Sequence, residues 1–283
     1  MALIENTLFG KLNKVEQAIQ RFKTFAPPEG YWLAFSGGKD SVVIKRLAEM
    51  AGVKFEAHYS VTSVDPPELV RFVKSMPDVS FDIPRYADGS PITMWNLIVK
   101  KLMPPTRMMR YCCDKLKESS GKGRRTVTGV RWAESAGRKK KQSLINNYSK
   151  GNGLIYNTDN DKARRMAENC YRTSKVIINP IIDWNDEEVW EFIRAEMIPY
   201  CGLYDEGYKR LGCIGCPMST RASEELERYP TYKSNYIKAF DRMLEERIAR
   251  GKSSEWNCGE EVMDWWLGKK KDKPARGQIG MFG

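Results

Sequence analysis

Six consecutive residues, Ser36-Gly37-Gly38-Lys39-Asp40-Ser41, bring together two hydroxyls, an ammonium, a carboxylate and a pair of glycines. The glycines allow a sharp turn and let the backbone approach a ligand with no Cβ in the way. Lys39 supplies a point charge for phosphate oxygens, and Asp40 is suited to hold Mg²⁺ or to orient the lysine. Where such a loop joins a strand to a helix, free backbone N–H groups and the positive helix end face an anion. The expected chemistry is therefore a grip on nucleotide phosphates, with Ser36, Gly37, Gly38, Lys39, Asp40 and Ser41 as the binding residues and Lys39 and Asp40 as the catalytic pair. A chance tight turn would account for the glycines but not for the other four side chains in this order. No Walker A sequence is present, which excludes an ordinary P-loop NTPase.

The second constellation is sulfur. Of seven cysteines, four fall into two pairs, Cys112-Cys113 and Cys213-x-x-Cys216. Four thiolates can close a tetrahedral zinc site or hold an iron–sulfur cluster; otherwise they are buried structural thiols. Adjacent cysteines suit zinc ribbons poorly, since those use two separated pairs. Arg110 and Lys115 flank the first pair, placed to offset cluster charge or to point into an active site. Cys170, Cys201 and Cys258 read as ordinary thiols, and His58, the only histidine, as structural. An odd cysteine count argues against a disulfide framework.

The third is a basic cluster, Arg131 and Arg138, with Glu134 and Ser135 between them. An arginine forks onto phosphate or sulfate as lysine cannot, so Arg131 and Arg138 are the candidates for the anionic groups of substrate or nucleotide. Lys139, Lys140 and Lys141 read as a solvated face or as a general attraction for polyanions.

These residues need a scaffold. Residues 31–35 form a short apolar run that predicts a buried strand before the glycine loop, and 42–50 predict a helix closed by Gly52. Strands are expected at 54–61, 79–84, 125–130 and 176–182, and helices at 66–75, 92–102, 186–196 and 229–249. Apolar spacing also predicts an amphipathic helix over 4–22, while 143–163, polar and rich in Asn and Gly, reads as a loop over a site or an insertion. Alternating strands and helices imply an α/β fold with a doubly wound, mostly parallel sheet and a helical C-terminal region. Ligands in such sheets sit beyond the carboxyl ends of the strands, where Arg131 falls.

The 283 residues, 41% hydrophobic and 29% charged, suffice for one large core or one core plus an accessory domain. No apolar run approaches the roughly 20 residues of a membrane span, and residues 1–11 lack a secretory pattern. The expectation is a cytoplasmic protein with no membrane partner. The net charge of +11 fits a polyanionic partner such as a nucleotide, tRNA or DNA.

The loop Ser36 to Ser41 resembles the pyrophosphate loop of the PP-loop ATP pyrophosphatases, whose fold is that of the adenine nucleotide alpha hydrolases. Further matches narrow the resemblance to the adenylylsulfate and phosphoadenylylsulfate (PAPS) reductase family: Pro67-Glu68, Arg110-Tyr111-Cys112-Cys113, the run from Gly129 to Ser135, Pro180 to Trp184 with Val189-Trp190, and Leu203-Tyr204 leading to Gly212 through Cys216. The resemblance implies one domain over 1–220 (helical lead-in 1–29); beyond it, apolar spacing gives a helical region over 221–267 and composition a disordered basic tail over 268–283. It implies ATP and Mg²⁺ as cofactors, and a 4Fe–4S cluster on Cys112, Cys113, Cys213 and Cys216 in preference to zinc.

Two departures shift the expected activity. The family's reductases carry a degenerate loop without the Lys-Asp pair, which is intact here. They also carry a nucleophilic Glu-Cys-Gly-x-His segment, against which this chain offers only Asn257-Cys258-Gly259-Glu260. The resemblance then implies an ATP-dependent adenylating sulfurtransferase acting on nucleic acid, of the DNA phosphorothioation or tRNA thiolation type, served by a sulfur donor such as a cysteine desulfurase. The alternatives are a true adenylylsulfate or PAPS reductase using Cys258, and a non-catalytic nucleotide-binding iron–sulfur protein. Oligomeric state stays open.

Overall fold

A computed structural model describes residues 3–7, 10–121, 123–148, 154–156 and 175–269. The chain divides into two compact units. The first comprises residues 1–61, 67–82 and 119–211, and the second 62–66, 83–118 and 212–283.

The first unit is the expected α/β fold. Its strands are β1 (Ile4–Thr7), β2 (Gly10–Asn13), β3 (Tyr31–Ala34), β4 (Phe55–Ser60), β5 (Val79–Asp82), β6 (Thr126–Val127), β7 (Ile145–Tyr148), β8 (Leu154–Tyr156) and β9 (Lys175–Ile178). Seven of them form one sheet in the order β5-β4-β3-β6-β9-β7-β8. The first five in that order pair parallel, and β7 and β8 add an antiparallel edge. Helices α1 (Lys14–Thr24), α2 (Lys39–Ala51) and α3 (Pro67–Lys74) flank it. β3 is buried at Tyr31 and Leu33, which stack into a core with Val43, Ile44 and Leu47 of α2 and Phe22 of α1. Each such side chain contributes about 1.5–3 kcal/mol on burial.

The second unit holds α4 (Met94–Lys101) and α5 (Tyr111–Leu116). The first unit continues with α6 (Ala136–Lys141) and α7 (Asp186–Ala195), and the second with α8 (Ala222–Arg228), α9 (Pro230–Ala249) and α10 (Gly259–Trp266). In the second unit α9 packs against both α4 and α10. Its core centres on Tyr236, whose ring meets Trp95 at 5.0 Å and Trp266 at 4.9 Å.

Several expectations change. β1 and β2 pair antiparallel, with Ile4 opposite Asn13, in place of the helix expected over 4–22. The helix starts at Lys14 because the Asn13 side chain accepts hydrogen bonds from Val15 N and Glu16 N. The polar stretch 143–163 contains β7 and β8 and is not simply a loop. The strands expected at 125–130 and 176–182 are shorter, because the chain leaves the sheet at Val127 and Ile178 to build the site below. Residues 62–66 and 83–118 belong to the same compact unit as residues 212–283. The tail from residue 270 lies outside the described residues. Among the described residues no helix is long and apolar enough to cross a membrane.

Candidate functional site

The sheet sets the location. From β3 the chain moves outward to β4 and β5 on one side, while β6 leads to β9 on the other. The crevice beyond the carboxyl ends of β3 and β6 is thus the topological switch point where open α/β sheets take ligands. The loop after β3 is Phe35 to Gly38, and the loop after β6 is Thr128 to Arg131.

Gly37 has φ +73°, and a Cβ there would stand 2.7 Å from both Leu69 Cδ1 and Val73 Cγ2 of α3. Gly38 caps α2 without a side-chain hydrogen bond, which leaves the helix start open to an anion. The Lys39 backbone N–H donates to the Tyr204 hydroxyl at 2.8 Å, and the Ser41 hydroxyl donates to Gly38 O at 2.8 Å. The Lys39 side chain is buried; its ammonium donates to Lys209 O at 3.1 Å and lies 3.3 Å from Asp186 Oδ1. Burial pushes the Tyr204 phenol above its ordinary range, so it stays protonated beside the loop.

Arg131 is 1% exposed and faces protein on all sides. Its Nε donates to Asp40 Oδ1 at 2.7 Å, its Nη2 to Asp186 Oδ1 at 2.6 Å and its Nη1 to Trp184 O at 3.2 Å. The expectation that Arg131 meets an anion therefore gives way to a positioning role: its fork is occupied by two carboxylates. Asp40, in turn, is oriented by Arg131 instead of orienting Lys39. Asp186 is the hinge of the site, shared by Lys39 and Arg131. Arg138 pairs with Glu134, and Ser135 caps α6 by accepting from Arg138 N at 3.2 Å. Burial pushes the Glu134 carboxyl above the usual carboxylate range; the Asp40 charge adds to this, and Arg138, Arg210 and Arg131 oppose it. A half-buried carboxyl so placed can hold or move a proton.

Gly129 permits the two loops to touch. A Cβ at this position would lie 2.8 Å from Asp40 Cβ and 3.0 Å from the Asp40 carbonyl oxygen. Gly129→Ala is therefore expected to cost about 1–3 kcal/mol by forcing backbone apart. A urea midpoint indistinguishable from the native protein's would contradict this close approach.

All four paired cysteines lie in the second unit. Cys112 and Cys113 sit in the first turn of α5, where Arg110 Nη2 lies 3.6 Å from Cys113 Sγ. The Cys112 thiol hydrogen-bonds Cys113, and with the Arg110 charge this lowers Cys113 while Cys112 is held protonated. Cys213 and Cys216 bracket a turn in which Cys216 N donates to Cys213 O at 3.3 Å. That turn is anchored by Ile214 N on Val64 O at 2.8 Å and by the Tyr236 hydroxyl on Ile214 O at 3.1 Å. Burial pushes the Cys213 thiol up to about 11. The Lys117 ammonium hydrogen-bonds Cys213 and is held above the lysine range by Cys213 first, then by Asp65 and Cys113. Soft thiol donors with cations beside them suit an iron–sulfur cluster or zinc. Among the described residues, no three His, Cys, Asp or Glu side chains are closed into metal-holding geometry, so the fit rests on the donor set.

A sequence profile of the phosphoadenosine phosphosulfate reductase domain matches residues 30–219. The chain belongs to this family. An uncharacterized protein of Methanocaldococcus jannaschii is 29% identical over 229 residues, covering 77% of this chain and 50% of that protein. The adenosine 5'-phosphosulfate reductase of Allochromatium vinosum is 41% identical over 49 residues, 17% of this chain and 19% of that protein. The chain spans about half the length or less of these curated relatives. Among solved structures, phosphoadenylyl-sulfate (PAPS) reductase from Candida auris superposes with a TM-score of 0.44 at 17% identity, covering 71% of this chain and 88% of that one. Candida glabrata FMN adenylyltransferase gives 0.44 at 14% identity, covering 76% and 70%.

In this PAPS reductase domain, sequence reasoning missed Asp186 and Tyr204 as site residues. Asp186 looks like an ordinary acidic first-turn residue of α7, whose N-cap is Asn185. Its signal is position: it follows β9, next to β6 at the switch point. Cys201 is buried, Cys258 caps α10, and Cys170 lies outside the described residues. His58 stacks on Trp32 with ring centroids 3.3 Å apart and meets Asp82 Oδ1 at 3.1 Å, within the sheet.

Proposed function

We propose that this PAPS reductase family member is an ATP-dependent adenylating enzyme that prepares a nucleic-acid oxygen for replacement by sulfur. The observation that carries the reading is the intact Lys39-Asp40 pair, held at the switch point by Asp186, Tyr204 and Arg131. The β- and γ-phosphates of ATP rest on the amides and hydroxyls of Ser36 to Ser41. The Lys39 ammonium, now shared between Lys209 O and Asp186, turns its charge to the phosphates. An acceptor oxygen, a base carbonyl or a backbone phosphate oxygen, attacks the α-phosphorus. The bond to pyrophosphate breaks and pyrophosphate leaves with the electron pair, while Lys39 and the loop amides stabilise the growing charge. Glu134 is placed to carry a proton, its carboxyl being raised by burial. Sulfide, freed from a persulfide on a donor protein of the cysteine desulfurase class by an external dithiol that becomes a disulfide, then attacks the adenylated atom, and AMP leaves with the electron pair.

Asp40 would hold Mg²⁺ through the carboxylate oxygen not engaged by Arg131; the ion supplies charge neutralisation at the phosphates. Cys112, Cys113, Cys213 and Cys216 would hold an iron–sulfur cluster, which supplies sulfur or electron chemistry. A nucleic-acid acceptor is supported by the net charge of +11 and by the basic run of α6, in the same unit as the loop.

Anaerobically purified protein given ATP, Mg²⁺ and nucleic acid is expected to release pyrophosphate and to show iron and sulfide with visible absorption. No pyrophosphate, together with reduction of adenylylsulfate to sulfite and AMP that Cys258→Ser abolishes, would replace this reading with a reductase.

A further inference from the structure

The second unit carries a cavity of about 800 Å³ lined by Thr93, Trp95 and Asn96 of the α4 region and by Asn235, Lys238 and Arg242 of α9, with Asp241 at its side. Asn235, Lys238 and Arg242 stand three and four residues apart, so they share one face of α9. Lys238 and Arg242 lie roughly 6 Å apart along the helix axis. Among the described residues the Asn235 amide and the Lys238 ammonium have no side-chain partner. Asp241, whose Oδ1 accepts Gly259 N at 2.6 Å at the start of α10, is the one carboxylate of the lining against these two cations. On the opposite wall the half-buried Trp95 ring is braced edgewise by Tyr236 at 5.0 Å. Asn96 is fixed by its capping box with Thr93 and accepts from the Tyr86 hydroxyl at 3.3 Å; Lys100 lies 3.9 Å from the centre of the Tyr86 ring.

A braced indole that lines one cavity with two cations and an amide offers a stacking ring beside a phosphate track. An indole face can stack only on a base that is not already stacked in a duplex, and unpaired bases also expose edges to an amide. We infer that this groove between α4 and α9 binds single-stranded nucleic acid, with one base on Trp95, its edge toward Asn235, and phosphates on Lys238 and Arg242. The inference deepens the nucleic-acid reading of the acceptor and rests on it for its biological sense, but binding is measurable without ATP or turnover.

The test is fluorescence anisotropy of a labelled single-stranded oligonucleotide on the full chain, over a series of salt concentrations. Lys238→Glu with Arg242→Glu should weaken binding at least tenfold and flatten the salt dependence by about 0.7 for each phosphate no longer neutralised. Trp95→Ala should weaken binding about tenfold or more with the salt slope unchanged, as removal of an uncharged stacking ring requires. Trp95→Phe, which keeps a ring against Tyr236, should restore most of it. The duplex form of the same oligonucleotide should bind more weakly than the single strand. Binding by the native chain that the charge reversal leaves intact would overturn the groove while leaving the nucleic-acid reading in place. Absence of binding to any single strand would overturn both, and pyrophosphate release from ATP would then have to be sought with a small acceptor.

Discussion

Lys39→Ala should lower ATP-dependent pyrophosphate formation by about 100- to 1000-fold, the effect of removing one preorganised charge-stabilising donor. The fold should survive. The substitution leaves Asp186 on Arg131, and its side chain, 66% exposed, exchanges the lost contact for water at little cost. Lys39→Arg should not rescue activity, because a planar fork cannot occupy the space in which a compact ammonium meets Lys209 O at 3.1 Å. A coupled pyrophosphate assay on anaerobic protein, with unfolding followed in parallel, separates the two effects. Retention of more than a tenth of native activity in Lys39→Ala would mean that the loop does not stabilise the transferred charge.

The second large effect is on stability. Arg131→Ala should destabilise the chain by about 3 kcal/mol, read as a lowered urea midpoint at neutral pH. Removing this guanidinium strands the Asp40 carboxylate, which is only 22% exposed, whereas Asp186 can be rehydrated. The same substitution should change the acid limb. Burial alone would raise the Asp186 carboxyl, but the Arg131 hydrogen bond and the Lys39 charge more than reverse this, so it lies below its ordinary value in the folded chain. A depressed folded pKa contributes stability above the unfolded value of about 3.9, and that contribution is lost as pH falls through the folded value. Arg131→Ala should therefore lose less stability between about pH 6 and about pH 3 than the native chain. Parallel acid limbs in the two proteins would show that Arg131 does not hold Asp186 ionised.

Both effects depend on a geometry only partly legible in the sequence. The strand–loop–helix from Tyr31 to Ala51 is readable because an apolar run, two glycines and a helical pattern follow each other without ambiguity. The pairing of β1 with β2 is not, because Leu8 and Leu12 also fit helical spacing in the sequence and nothing local outweighs it until Asn13 caps the helix. β7 reads Ile-Asn-Asn-Tyr, too polar to announce a strand, and owes its place to pairing with β9. Arg131 is legible as a site residue but not in its role, since arginine that binds a ligand and arginine that positions a carboxylate look alike until the partners are known. Asp186 and Tyr204 lie more than 140 positions from Lys39, and only the sheet order brings them to it.

The discontinuity of the second unit has a consequence for how the chain is made. Cys113 and Cys213 lie 100 positions apart, with β6, β7, β8, β9 and α7 of the other unit between them. Joining ends across such a stretch carries a loop-closure entropy of about 4 kcal/mol. On a ribosome adding about 5–20 residues per second, the first thiol pair emerges about 5–20 s before its counterpart. Throughout that interval Cys112 and Cys113 have neither the Cys213 turn nor the Tyr236 core over them. Nascent chains would thus be open to oxidation or to capture of stray metal at these two thiols until translation has passed α9.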